Sequence, residues 1–252
     1  MKTYKLNIIW SISLLCFAFV SCKKTEQAPV ISHLSLFNAM PGDTRLMPSF
    51  RGTKPLDRYY DGQLFYYAVF NGFNKFSINK ELQPLAIYRY PDTLPASKPL
   101  YDLNLKLKQG SINRLYFTGT VEHPDYLLST FVPPAYNAAD STFGIKFLNL
   151  SYQSRPINVY LVGNGERKEA EGLAYKGETE YKRYAAALKT GEYTFEFRDQ
   201  ETQKLLARYT TNGLGVAKDN LWRFRNFTLA LIGFPDETTE VLKQKPFLLD
   251  DY

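Results

Sequence analysis

His33 and His123 are the chain's only imidazoles. A zinc site draws three or four Cys, His or carboxylate ligands at short intervals. These two stand far apart with no such spacing around them, so they read as surface or loop residues. Cys16 and Cys22 both fall at the very start of the chain, which leaves the rest of it without a thiol nucleophile. Carboxylates do come in groups: Asp57 and Asp61 flank Arg58-Tyr59-Tyr60, Asp236 adjoins Glu237, and Glu166, Glu169 and Glu171 share a segment with Arg167 and Lys168. Two carboxylates across a sugar can hydrolyse a glycosidic bond, so these are the candidates for a polysaccharide hydrolase. Each pattern is also that of a solvated turn, and that is the reading adopted. Ser77 and Lys80, with Lys189-Thr190-Gly191, could in principle make a nucleophile and its base. No third element completes them, Ser77 opens no convincing helix, and there is no Gly-x-Ser-x-Gly elbow. Gly213-Leu214-Gly215 is too short for a phosphate loop. Asp57, Asp61 and Gly62 have partial calcium-loop spacing, but Tyr59 and Ala68 stand where oxygen ligands are needed. No enzyme, metal or cofactor is expected.

Recognition has better candidates, and they are aromatic. Of 252 residues, 19 are Tyr, 18 Phe and 2 Trp. Trp222, flanked by Arg223 and Arg225, could stack on a sugar ring or anchor a protein. Asp57-Arg58-Tyr59-Tyr60 is the second candidate. Against both stands a plainer reading, in which Trp222 with Phe224 extends a strand into the core and Tyr59-Tyr60 lie in an ordinary loop.

The elements that must position these residues read as strands. Aromatic side chains fit a pleated, half-buried surface, and 44% hydrophobic residues suffice for a core. Tyr193, Phe195 and Phe197 alternate with polar residues after Gly191; Leu103, Leu105 and Leu107 do the same before Gln109-Gly110. That period puts one face inward. Asn158–Val162 stops at Gly163-Asn164-Gly165, a turn signal. Phe227–Ile232 is continuously apolar and suits a central strand covered on both faces. Glu178–Leu188 has good helix formers yet is expected to be an extended strand or a loop, because spaced aromatics run through it.

The chain also repeats itself. Leu36-Phe37-Asn38 and Phe147-Leu148-Asn149, Arg51-Gly52 and Val162-Gly163, and Pro124-Asp125 and Pro235-Asp236 are each 111 residues apart. Tyr67, Phe73 and Phe76 match Tyr175, Tyr181 and Tyr184 at 108. The expected fold is all-β: two tandem immunoglobulin-like antiparallel β-sandwich domains, residues 30–133 and 143–252, joined as a rod by a linker over 134–142. Residues 215–226 of the second copy exceed their counterpart in the first, which points to a loop, and loops on rigid sandwiches carry recognition.

Module two resembles domain-of-unknown-function family 4397, common in bacterial surface and cell-envelope proteins. The resemblance rests on Phe147-Leu148-Asn149, Pro156-Ile157-Asn158-Val159-Tyr160, Leu173-Ala174-Tyr175, Gly191-Glu192-Tyr193-Thr194-Phe195 and Phe227–Gly233. Module one departs from it, with Arg45-Leu46-Met47-Pro48-Ser49 where the Val-Tyr strand belongs. The resemblance implies a β-sandwich and no chemistry.

Lys2 and Lys5 precede an apolar stretch over 8–20, the pattern of a secretory leader over residues 1–21. Phe19-Val20-Ser21-Cys22 resembles the lipobox of bacterial lipoproteins, with Phe19 in place of the usual Leu. This implies acylation of Cys22, a polar tether over 22–29 and, with Lys23 next, an outer-membrane address whose facing is open. Loss of Lys2 and Lys5 would lower the net charge from +6 to +4. Export and interspersed charge argue against nucleic acid. The expected protein is a non-catalytic envelope lipoprotein that binds a glycan or a protein partner through its loops. A structural or assembly subunit of an outer-membrane complex is the alternative.

Overall fold

The computed structural model describes residues 31–252 apart from 43, 53–62, 93, 95, 137–140, 164, 219 and 252. The expected leader, Cys22, and the Asp57, Tyr59, Tyr60 and Asp61 group lie outside the described residues.

Sixteen strands are described, with one 3-10 turn at Gly72–Asn74 and no α-helix. The first eight are β1 (Ser32–Asn38), β2 (Arg45–Ser49), β3 (Phe65–Tyr66), β4 (Lys75–Ile78), β5 (Leu82–Arg89), β6 (Tyr101–Lys106), β7 (Ile112–Gly119) and β8 (Pro124–Phe131). The second eight are β9 (Thr142–Asn149), β10 (Ile157–Val162), β11 (Arg167–Leu173), β12 (Lys182–Ala185), β13 (Thr194–Asp199), β14 (Leu205–Thr210), β15 (Asn226–Ile232) and β16 (Lys245–Asp250). Sheets β4-β1-β7-β8 and β3-β2-β5-β6 form the first module; β12-β9-β15-β16 and β11-β10-β13-β14 form the second. Adding eight to each label converts one module into the other, so the two share one topology. Pairing is antiparallel except for β1 with β7 and β9 with β15, which are parallel. Arg45–Ser49 forms β2 and pairs with β5.

Equivalent residues do equivalent work. Asn38 closes β1: its side-chain amide donates to Phe65 O at 3.2 Å, its Oδ1 accepts from Met40 N at 3.0 Å, and its carbonyl accepts from Ala68 N at 3.0 Å. Asn149 closes β9 in the same way, with Leu173 O at 3.1 Å, Ser151 N at 3.1 Å and Lys176 N at 2.7 Å. Two of the repeat anchors do not superpose. Pro124 opens β8, whereas Pro235 lies in the longer loop before β16, and the residue matching His123 is Lys243. Strand pairing likewise aligns Tyr184 with Ile78 rather than with Phe76.

Three apolar layers hold the molecule. Leu34, Leu36, Leu85, Ile87, Leu115 and Phe117 fill the first sandwich. Phe143, Phe147, Phe195, Phe197 and Leu229 are among those that fill the second. The third layer joins the modules: Phe37, Ala39 and Tyr116 of the first meet Leu148, Ala230, Ile232 and Leu249 of the second. The modules therefore pack inner sheet against inner sheet and are not strung as a rod. The reason is visible along β15, where every residue is buried. Leu229 and Leu231 point into its own sandwich, while Ala230 and Ile232 would face water without the other module.

Charge crosses this seam under cover. Arg114 and Asp251 form an ion pair with both side chains fully buried. Arg114 also donates to Ser35 Oγ and to Asp250 O, each at 2.9 Å, and its guanidinium lies 4.5 Å from the Phe70 ring centroid. Burial works against that charge, but Asp251 and Tyr116 together outweigh it and the guanidinium is held above its ordinary pKa. Tyr181 donates to Asp251 at 2.9 Å. Lys146, 2% exposed, pairs with Glu178 at 2.8 Å and sits 4.3 Å from the Phe131 ring. Such ions are tolerable only when every one finds its partners.

Candidate binding cleft at the module seam

Trp222 is 5% exposed and belongs to the core of module two. Its ring packs on Phe143 and Phe227, with centroids at 5.1 and 4.9 Å, and its Nε1 donates to Asn212 O at 2.8 Å. No face of the indole is left for a ligand, so the expected anchor is a core residue. Arg223 is half-buried and turns back to Ala186 O at 3.3 Å. Arg225 is exposed; its carbonyl accepts from Gly144 N at 2.9 Å and from the Tyr136 hydroxyl of the linker. The long loop over 211–225 is thus largely spent on closing the end of its own sandwich.

Among the described residues, the candidate carboxylates are mostly engaged in ion pairs. Glu166 is bonded to Arg198, Glu171 to Lys168, and Glu169 to both Arg167 and Lys182. Asp236 is 85% exposed and pairs with Lys204 at 3.1 Å. Among the described residues no three His, Cys, Asp or Glu side chains lie together as a metal site would need. A hollow of about 440 Å³ beside Glu166 and Glu192 offers little, because Glu192 already accepts from Gly213 N at 2.8 Å and Thr211 Oγ1 at 2.7 Å.

The more promising concavity lies at the end of the seam, and the repeat builds it. Equivalent glycines stand at the end of β7 and just after β15, Gly119 with φ +84° and Gly233 with φ +98°. A Cβ at Gly119 would stand 2.3 Å from His123 O, and one at Gly233 2.2 Å from Lys243 O. Only glycine lets either chain fold back this tightly. The result is two loops side by side: the short 120–123 of module one and the longer 234–244 of module two. Between them sits the turn after β9, held by Ser151 Oγ donating to Gly233 O at 2.9 Å and by Gln244 donating to Ser151 Oγ at 2.9 Å.

These segments enclose about 480 Å³ lined by Thr120, His123, Tyr152, Gln153, Phe234, Pro235, Asp236 and Glu237. That volume suits a small ligand. Tyr152 meets Phe234 edge-to-face at 6.3 Å and Tyr175 at 5.7 Å, which fixes an aromatic floor. Behind it Tyr175 donates to Asp125 Oδ2 at 3.1 Å, and Lys176 pairs with Asp125 Oδ1 at 2.9 Å, tying the modules together at this end. Burial pushes the Tyr175 hydroxyl up. Burial would also raise Asp125, but Lys176, Tyr126 N–H and Tyr175 together hold its carboxyl below 3.8. The side chains of His123, Gln153, Tyr152 and Glu237 make no hydrogen bond with any described residue.

Sequence reasoning did not single out Tyr152, Gln153 or Phe234. A half-buried tyrosine after a strand looks like any other in a chain with 19 of them. Pro235-Asp236 stands out in the sequence as a repeat anchor and Asp236-Glu237 as a carboxylate pair, and neither signal marks Phe234.

Among the described residues no helix is long and apolar enough to cross a membrane. No family profile matches the chain, and no curated protein matches it. Among solved structures, a candidate adhesin from Bacteroides ovatus is similar over 90% of this chain and 94% of its own, at 9% identity and a TM-score of 0.23. The Bacillus anthracis TIE protein is similar over 85% of this chain and 33% of its own, at 6% identity and a TM-score of 0.23.

Proposed function

We propose that this chain is a non-catalytic recognition protein of a bacterial cell envelope, held there by acyl chains on Cys22, and that it binds a glycan in the cleft at the end of the module seam. The address comes from the leader and lipobox pattern. The resemblance to family 4397 is part of the same reading and adds no chemistry. What carries the binding assignment is the edge-to-face pair Tyr152 and Phe234 set beside polar side chains that make no hydrogen bond to any described residue. A sugar presents an apolar face for the ring and hydroxyls for the polar groups. Tyr152→Ala and Phe234→Ala should each weaken glycan binding about tenfold or more while leaving the thermal midpoint nearly unchanged. Retention of full affinity in both variants would remove the cleft from consideration.

A protein partner is the second reading, favoured by one patch. Phe73 is 74% exposed on a turn whose cap is reciprocal between Asn71 and Asn74, with Tyr66 at 47% and Val69 at 42% beside it. Co-purification from gently solubilised envelopes that is lost in Phe73→Ser would favour this reading over the first.

A further inference from the structure

The cleft does not end at Asp236. A second hollow of about 320 Å³ adjoins it and shares Gln153, Pro235 and Asp236 as a common ridge. The first hollow has an aromatic floor and takes one wall from module one, through Thr120 and His123. The second lies wholly on module two and is polar, with Arg155, Thr202 and Lys204 at its edge. A single sugar ring would use one hollow and leave the other to water. A chain of two or more units would use both.

The charges at the second hollow are already matched. Lys204 pairs with Asp236 at 3.1 Å and Arg155 with Glu201 at 2.9 Å. Asp199 accepts from Glu201 N at 3.0 Å, Thr202 N at 2.7 Å and Thr202 Oγ1 at 2.9 Å. Both cations are already paired, so a ligand carboxylate or sulfate would have to compete with Asp236 and Glu201 for them. Neutral hydroxyls, by contrast, can accept from Arg155 and Lys204 without breaking those pairs, because each cation has donors to spare.

We infer that the two hollows form one groove for an uncharged oligosaccharide of at least two units, one ring lying against Tyr152 and Phe234 and the next over Arg155 and Lys204. This rests on the glycan-binding reading above and adds to it a length and a charge class. Joining the second contact to the first makes it intramolecular, so affinity should climb with chain length.

Isothermal titration of the intact, detergent-solubilised protein, guided by a glycan array of graded length and charge, tests this. Affinity for neutral glycans should rise about tenfold or more from one unit to the longer oligomers and then level off. Uronate or sulfated chains of the same length should bind more weakly. Arg155→Ala and Lys204→Ala should each reduce affinity about threefold to tenfold for oligomers and leave the single-unit affinity unchanged. Tyr152→Ala should reduce both. Length-independent binding, or a preference for acidic chains, would overturn the groove and leave glycan recognition standing. Absence of binding to every glycan would overturn both.

Discussion

Near the start of β7, Arg114, Asp251, Lys146 and Glu178 lie in the seam with nearly every donor and acceptor engaged. Beyond the end of the same strand, His123, Tyr152, Gln153 and Glu237 surround a cavity with their side chains uncommitted. Both regions are built from the same pair of sheets, and both bring polar groups from the two modules together. The difference is satisfaction. A polar group that has found its partners inside the protein contributes to holding the protein together; His123, Gln153 and Glu237 are exposed and bond to water, which a ligand can replace.

The largest expected effect tests the satisfied region. Asp251→Asn leaves Arg114 buried without its counter-charge and should cost about 3–5 kcal/mol in urea denaturation. The pair Arg114→Met with Asp251→Leu removes both charges and should recover most of that loss, since an apolar pair of similar volume is often neutral there. Failure to recover would mean that Ser35 and Tyr181, left without Arg114 and Asp251, matter more than the charges. Trp222→Ala should also cost about 3–5 kcal/mol, as a large core truncation does. A much smaller loss would return Trp222 to the list of surface anchors.

Acid should act next. Asp125 has a folded-state pKa below its ordinary 3.8, so its contribution is present above that value and is lost as pH falls through the lowered one. Stability of the wild type should therefore fall from about pH 4 downward, and Asp125→Asn should be less stable at neutral pH with a shallower fall. Parallel curves for the two proteins would show that the Lys176 tie contributes nothing. The smallest effect on stability is expected in the unsatisfied region. Tyr152→Ala should shift unfolding by about 1 kcal/mol or less, while its effect on binding is the largest of the set.

Some of this was written along the chain. Alternation at Tyr193, Phe195 and Phe197 placed β13, and alternation at Leu103 and Leu105 placed β6, because a strand's period of two is a local property. The spacing of 111 between Asn38 and Asn149 marked the two copies, and both residues close their first strand with matching bonds. Other signals were ambiguous at that level. Trp222 beside two arginines looks the same whether its ring turns outward or inward. The recurrence of Pro-Asp could not be separated from chance, and β16 starts well after Pro235. Nothing in the neighbourhood of Tyr152 or Phe234 announced that they meet.

The amino-acid sequence by itself determined the strands with clear periodicity, β6, β10, β13 and β15, since a strand's pattern depends on residues near one another along the chain, and it carried the repeat in its recurring motifs. The tertiary structure alone decided which surface covers the second face of β15, which arginine meets which carboxylate, and which loops enclose a cavity. Those outcomes depend on contacts between residues more than a hundred positions apart, such as Arg114 with Asp251, and periodicity carries no record of its partner.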